Sequence, residues 1–122
     1  MKPSEKQTLE TNYVSESTVL QEQKNGVVTL TLNRPKQYNA LSEGMLDTLQ
    51  EHLDAIAKNE ALRLVILQGA GKAFCAGHDL KEMIVNRKES YYQTLFKKCS
   101  KMMMTLNQMP QPIIARIHGI AT

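Results

Sequence analysis

A chain of 122 residues has room for one modest domain and not for two. Apolar residues make up 42% of it and aromatic ones only 5%, with no Trp, so a core must be built from Leu, Ile, Val and Met. The formal charge of +3 comes from scattered lysines, which speaks against a nucleic-acid-binding stripe and leaves room for a small anionic ligand.

The N-terminal residues 1–17 mix acidic and basic side chains and fit neither a signal nor a transit peptide, so a flexible polar tail is expected there. Val19 to Lys24 reads as a strand with little apolar face, hence an edge. Asn25-Gly26 is a type I′ turn signal, and Val27 to Asn33 alternates as the return strand. Pro35 ends it, and RPKQYNAL is a loop. Ser42 is placed to cap a helix over residues 43–58, with Leu46, Leu49, Leu53 and Ile56 on its buried face. LRLVIL, residues 62–67, has the continuous apolar pattern of a strand buried on both faces.

After GAGKAFCAGHDLKEM, at residues 69–83, a short helix is expected from Leu80 and a longer one over 89–108. The longer one carries Tyr92, Leu95, Phe96, Cys99, Met102, Met103 and Leu106 on one stripe, with Lys97, Lys98 and Lys101 on its wet face. His52 is expected on the wet face of the first helix. Ile113 to Ile117 begins another buried strand, and His118 precedes a turn. Strands alternating with helices in this order predict an α/β fold with parallel crossovers. The closing IIARIHGIAT reads as a buried-type strand running into a Gly turn with no helix to cover it, the expectation for a fragment; Ile113, Ile114 and Ile117 should then be exposed.

The segment at 69–83 can be tested against several chemistries. GAGK lacks the spacing of a P-loop. Cys75 as a nucleophile needs a base beside it, which sequence adjacency to His78 does not establish. A single His without partners makes no metal site, and two cysteines without CxxC spacing make neither a zinc site nor a disulfide framework. A reducing, cytoplasmic setting with no membrane partner is expected, since no apolar run approaches spanning length. The oxyanion reading uses more of the residues. Ala76 and Gly77 let a ligand approach the backbone, and Asp79 and Glu82 have capping-box spacing, with Glu82 folding back on Asp79. The His78 N–H then lies just before a helix N-terminus, where unpaired donors and the dipole favour negative charge. An ordinary strand-to-helix loop fits the spacing equally well.

AFCAGHDLKEM resembles the oxyanion-hole signature of the crotonase (enoyl-CoA hydratase/isomerase) superfamily. VVTLTLNRPKQYNALS is similar to the strand and loop that begin these proteins, and QPIIARIHGIAT to the strand leading into their second glycine turn. The resemblance covers residues 19–122 and implies a crotonase-like spiral of ββα units, with residues 18–122 as the N-terminal part of the domain. It implies an acyl-CoA substrate and no separate cofactor, coenzyme A being part of the substrate. The His78 backbone N–H matches the first oxyanion donor. Ala76, Gly77, Asp79 and Leu80 match its ligand-contacting loop, and Lys36 and Ala40 the early loop that contacts coenzyme A. Lys36 and Lys72 are candidate phosphate partners.

The second donor and the water-handling glutamates of hydratases match no position before Thr122, so this chain alone is expected to be inactive. The resemblance further implies homotrimers or hexamers. It leaves hydration of a 2-enoyl-CoA as the favoured activity, with double-bond isomerisation or non-catalytic acyl-CoA binding as alternatives.

Overall fold

The structure, a computed structural model, describes residues 17–121, so residues 1–16 of the expected tail lie outside the described residues. Its elements run β1 (Val19–Lys24), β2 (Val27–Leu32), α1 (Glu43–Ala57), β3 (Leu64–Gly69), β4 (Ala73–Cys75), α2 (Leu80–Val85), α3 (Glu89–Gln108), β5 (Ile113–Ala115) and β6 (Ile120–Ala121). β1 and β2 form the expected hairpin, Val19 opposite Leu32 and Lys24 opposite Val27. Asn25 and Gly26 turn it with φ of 54° and 81°, both positive as a type I′ turn requires.

β3 lies parallel to β2 and β5 parallel to β3, giving the sheet order β1-β2-β3-β5 with β1 at an edge. The alternation of VVTLTL becomes alternating burial: Val28, Leu30 and Leu32 are buried and the residues between them half-buried. α1 starts at Ser42, whose Oγ accepts the Met45 N–H at 3.1 Å. It buries Met45 as well as Leu46, Leu49, Leu53 and Ile56, packing on β1 and α3.

Several expectations are corrected. β3 begins two residues late and runs on to Gly69, because Gln68 and Gly69 pair with Thr31 and Leu32 of β2. Leu62 stays buried in the turn before it, where the Gln111 Nε2 gathers the carbonyls of Ile56, Asn59 and Leu62. Of β3 only Val65 is fully buried, so the described residues do not seal the strand on both faces. β5 is three residues long, not five. Ile114 and Ile117 are 49% and 62% exposed, as a bare strand implies, whereas Ile113 packs against the core.

On α3 the buried residues are Leu95 and Met102, with Tyr91, Cys99 and Leu106 beside them. Phe96 and Met103 sit a further 100° round the helix from these and are exposed, so the stripe is narrower than expected. Lys98 is partly exposed, and its Nζ bridges Glu43 at 2.7 Å and Asp47 at 2.9 Å on α1. These carboxylates hold its ammonium form, raising its pKa. His52 is half-buried with its ring Nδ1 against the Gln21 side chain of β1, and burial pushes its pKa down.

β4 and β6 were not anticipated. They pair with each other, Ala73 opposite Ile120 and Cys75 opposite Ala121, outside the main sheet. Gly119 makes the pairing possible: at φ 62° it passes so close to Lys72 that an added Cβ would stand 2.0 Å from that carbonyl oxygen.

Candidate functional site

The loop after β2 makes one 3₁₀ turn at Pro35–Gln37 and then places Tyr38 and Asn39 at φ of 53° and 56°. Asn tolerates that left-handed conformation, and its carboxamide can replace backbone partners. Here it is fully buried. Its Oδ1 accepts the Arg34 N–H at 2.7 Å, and its Nδ2 donates to the carbonyls of Ala70 and Ala73, each at 2.9 Å. The early loop is thereby fastened to the GAGKA turn between β3 and β4.

Three backbone bonds extend the seam to the next loop. The Ala76 N–H donates to Tyr38 O at 3.0 Å, Leu41 N–H to Gly77 O at 2.7 Å, and Asp79 N–H to Leu41 O at 3.0 Å. The last two form a parallel bridge between Leu41 and His78. In such a bridge the bonds go to the residues flanking His78, so its own N–H points away from Leu41. Among the described residues it meets no acceptor. Gly77, at φ 90°, makes the turn that sets this up.

Asp79 then caps α2, its Oδ1 accepting the Glu82 N–H at 3.1 Å. Its Oδ2 is 2.9 Å from Arg34 Nη2, and Arg34 Nη1 reaches Ala40 O at 2.6 Å. Burial works to raise the Asp79 pKa. The Glu82 N–H and the Arg34 guanidinium outweigh it and hold the carboxyl below its usual range.

Only half of the expected capping box forms. Glu82 does not fold back, because the Asp79 N–H is already taken by Leu41. Its Oε1 instead accepts the Glu43 N–H at 2.8 Å and the Tyr91 hydroxyl at 2.7 Å, capping the first turn of α1 and tying α2 to α3. Tyr91 has its pKa raised, first by burial and then by the Glu82 carboxylate.

The structure therefore brings Ala40, Ala76, Gly77, His78 and Asp79 to one junction, with Leu80 exposed at its rim. Lys36 stands apart, lining with Lys72, Pro35, Tyr38 and Gly71 a shallow cavity of about 310 Å³. The His78 ring meets Phe96 of α3 edge-on, centroids 5.5 Å apart, and its buried Nδ1 has no partner among the described residues. Cys75 is buried with its Sγ accepting the Gly77 N–H at 3.4 Å, the environment of a packing residue. His118 reaches the Gly71 carbonyl at 2.8 Å. Among the described residues no group of three or more His, Cys, Asp or Glu could hold a metal ion.

Arg34, Asn39 and Tyr91 were missed from the sequence. Asn after a loop Tyr, with its tolerance of positive φ, was a usable signal for Asn39. Nothing local marks Arg34, whose second partner is in another loop.

The His78 N–H, with no acceptor among the described residues, thus lies between the parallel-paired strand β4 and the Asp79-capped start of α2. The profile of the enoyl-CoA hydratase/isomerase family matches residues 27–122, and the chain belongs to that family, within the crotonase superfamily. It is 37% identical over 108 residues to the enoyl-CoA hydratase domain-containing protein 3, mitochondrial, of Danio rerio, a match covering 88% of this chain and 37% of that protein. It is 32% identical to the 1,2-epoxyphenylacetyl-CoA isomerase of Escherichia coli, covering 84% and 40%. The crystal structure of an enoyl-CoA hydratase from Mycobacterium smegmatis superposes with a TM-score of 0.83 at 51% identity, over 85% of this chain and 41% of that one. The chain thus spans well under half the length of the relatives it matches. No helix among the described residues is long and apolar enough to cross a membrane.

Proposed function

We propose that the chain supplies the first oxyanion donor, the His78 N–H, and the early coenzyme A-contacting loop of an acyl-CoA enzyme of fatty-acid or acyl-CoA metabolism, an enoyl-CoA hydratase. The observation that carries this is the parallel bridge that directs the His78 N–H away from Leu41 and leaves it without an acceptor among the described residues.

A thioester carbonyl placed there accepts that bond and withdraws electrons from the conjugated double bond. Water then adds its oxygen at the β-carbon, negative charge collects on the thioester oxygen as an enolate, and a proton returns to the α-carbon. Each such donor lowers a barrier of this kind by roughly 3–4 kcal/mol. Ala76 and Gly77 leave room for the thioester, while Lys36 and Lys72 flank the cavity where phosphates of coenzyme A would lie.

Asp79 and Glu82 are not the proton-handling groups in this reading, because both carboxylates are engaged in capping bonds and ion pairs. Double-bond isomerisation uses the same enolate, and the hydratase/isomerase family makes it the second reading. Homotrimer or hexamer assembly and a cytoplasmic location belong to the proposal. The Danio rerio relative is named as mitochondrial, so cell fractionation separates the two compartments.

The test is titration of ¹⁵N-labelled chain with crotonyl-CoA and with free coenzyme A. A downfield shift of the His78 amide proton with crotonyl-CoA alone is expected. Equal shifts with both ligands would refute the oxyanion role. His78→Ala should leave that shift in place, since the donor is backbone.

A further inference from the structure

We propose that Arg34 is a positioning residue for the His78 N–H, acting through two loops it touches at once. This rests on the oxyanion reading above and adds a residue that reading does not use. The guanidinium is a rigid fork. One arm holds the Ala40 carbonyl at 2.6 Å and the other the Asp79 carboxylate at 2.9 Å, while the Arg34 backbone N–H is held by the Asn39 carboxamide at 2.7 Å.

Ala40 and Asp79 flank the two sides of the Leu41–His78 bridge. The Ala40 carbonyl and the Leu41 N–H belong to one peptide, and that N–H donates to the Gly77 carbonyl, which shares its peptide with the His78 N–H, so holding Ala40 on one side and Asp79 on the other restrains the direction of the His78 N–H. Arg34 is largely buried in the seam, its side chain 19% exposed, so the fork is not a screened surface pair. Lys carries its three donors on one nitrogen at the end of a flexible stem, so it does not reproduce the fixed spacing of the two arms.

The experiment has a readout with ligand and one without. Without ligand, amide hydrogen exchange is measured at Leu41, Ala76 and Asp79, with Leu30 and Val65 as core references. Arg34→Gln is expected to speed the first three by about tenfold or more relative to the references, and Arg34→Lys to fail to restore them. Asp79→Asn keeps a side-chain oxygen for the Glu82 N–H and loses the charge partner of Arg34. It should reproduce Arg34→Gln, with the double variant no worse than either single change.

With ligand, wild-type chain should bind crotonyl-CoA more tightly than free coenzyme A. Arg34→Gln should lose that preference by roughly tenfold, the affinity for crotonyl-CoA falling more than the affinity for free coenzyme A. Unchanged exchange at the three amides overturns the proposal, as does faster exchange with the acyl preference intact. If wild-type chain shows no acyl preference, the oxyanion reading falls. The positioning role is then upheld by selective exchange and overturned by uniform exchange.

Discussion

Replacing Asn39 by Ala should be among the most damaging single changes in the chain, although Asn39 lies in a loop and touches no core hydrophobe's role. The carboxamide makes three buried bonds, to the Arg34 N–H and to the carbonyls of Ala70 and Ala73. A net value of about 0.5–1.5 kcal/mol for each gives roughly 2–4 kcal/mol, because all three partners are left without replacement. The φ of 56° adds a penalty of order 1 kcal/mol, since Ala has no side chain to stabilise the left-handed region that Asn tolerates. A loss of roughly 3–5 kcal/mol would be a large share of the 5–15 kcal/mol typical of a domain. Urea unfolding reads it as a fall in midpoint of about 1–5 M, for a slope of about 1–3 kcal/mol per M that stays unchanged. Asn39→Gly should recover only the backbone part. Asn39→Asp should be at least as damaging as Ala, because it keeps the acceptor for Arg34 and sets a carboxylate against two carbonyls. A loss below about 1 kcal/mol for Asn39→Ala would refute the reasoning and show that the loop re-pairs without its carboxamide.

Gly119→Ala should detach β6 from β4, since its Cβ would stand 2.0 Å from Lys72 O at a φ of 62°. Roughly 1–3 kcal/mol of stability should be lost, with amide exchange of Ala73 and Cys75 accelerated. The Asp79 carboxyl has a folded pKa below its unfolded value of 3.8, so its stabilisation is fully present above that value and is lost as pH falls through the folded one. Acid unfolding of the wild type should therefore be steeper below about pH 4 than that of Asp79→Asn, and parallel curves would exclude the ion pair as a contributor.

Local signals were legible in the sequence and relayed contacts were not. The Asn25-Gly26 turn, the Ser42 cap and the alternation of β2 each depend on neighbours within a few residues, and each appears where the pattern puts it. β4 and β6 are too short to show a period, and each exists only because the other lies beside it. The α3 stripe was drawn too wide because apolar content marks a helical face without saying how much of it is covered; Phe96 and Met103 are left exposed. At the candidate site the Asp79 cap of α2 followed from spacing. The Arg34 fork and the Asn39 fastening did not, since their partners come from loops separated by a helix and a strand.

Glu82 shows the same lesson as a test. Its capping-box position was a sound local signal, but the bridge from Leu41 takes the Asp79 N–H first and frees the carboxylate to reach α1 and α3. One acid thus serves as anion for the N-terminus of another helix and as acceptor for a phenol. Glu82→Gln keeps an acceptor oxygen of the same reach and removes the charge, which separates shape from electrostatics. Loss of a negative group from the first turn of α1 should cost about 0.3–1 kcal/mol. The Tyr91 hydroxyl should ionise at lower pH than in the wild type, because the carboxylate that disfavours a phenolate is gone while the ring remains as buried as before. Ring-carbon NMR shifts followed upward from about pH 10, where free tyrosine titrates, read this as an earlier onset of ionisation in the variant. An unmoved Tyr91 would mean that burial alone raises it, and that the Glu82 contact is geometric with no electrostatic reach.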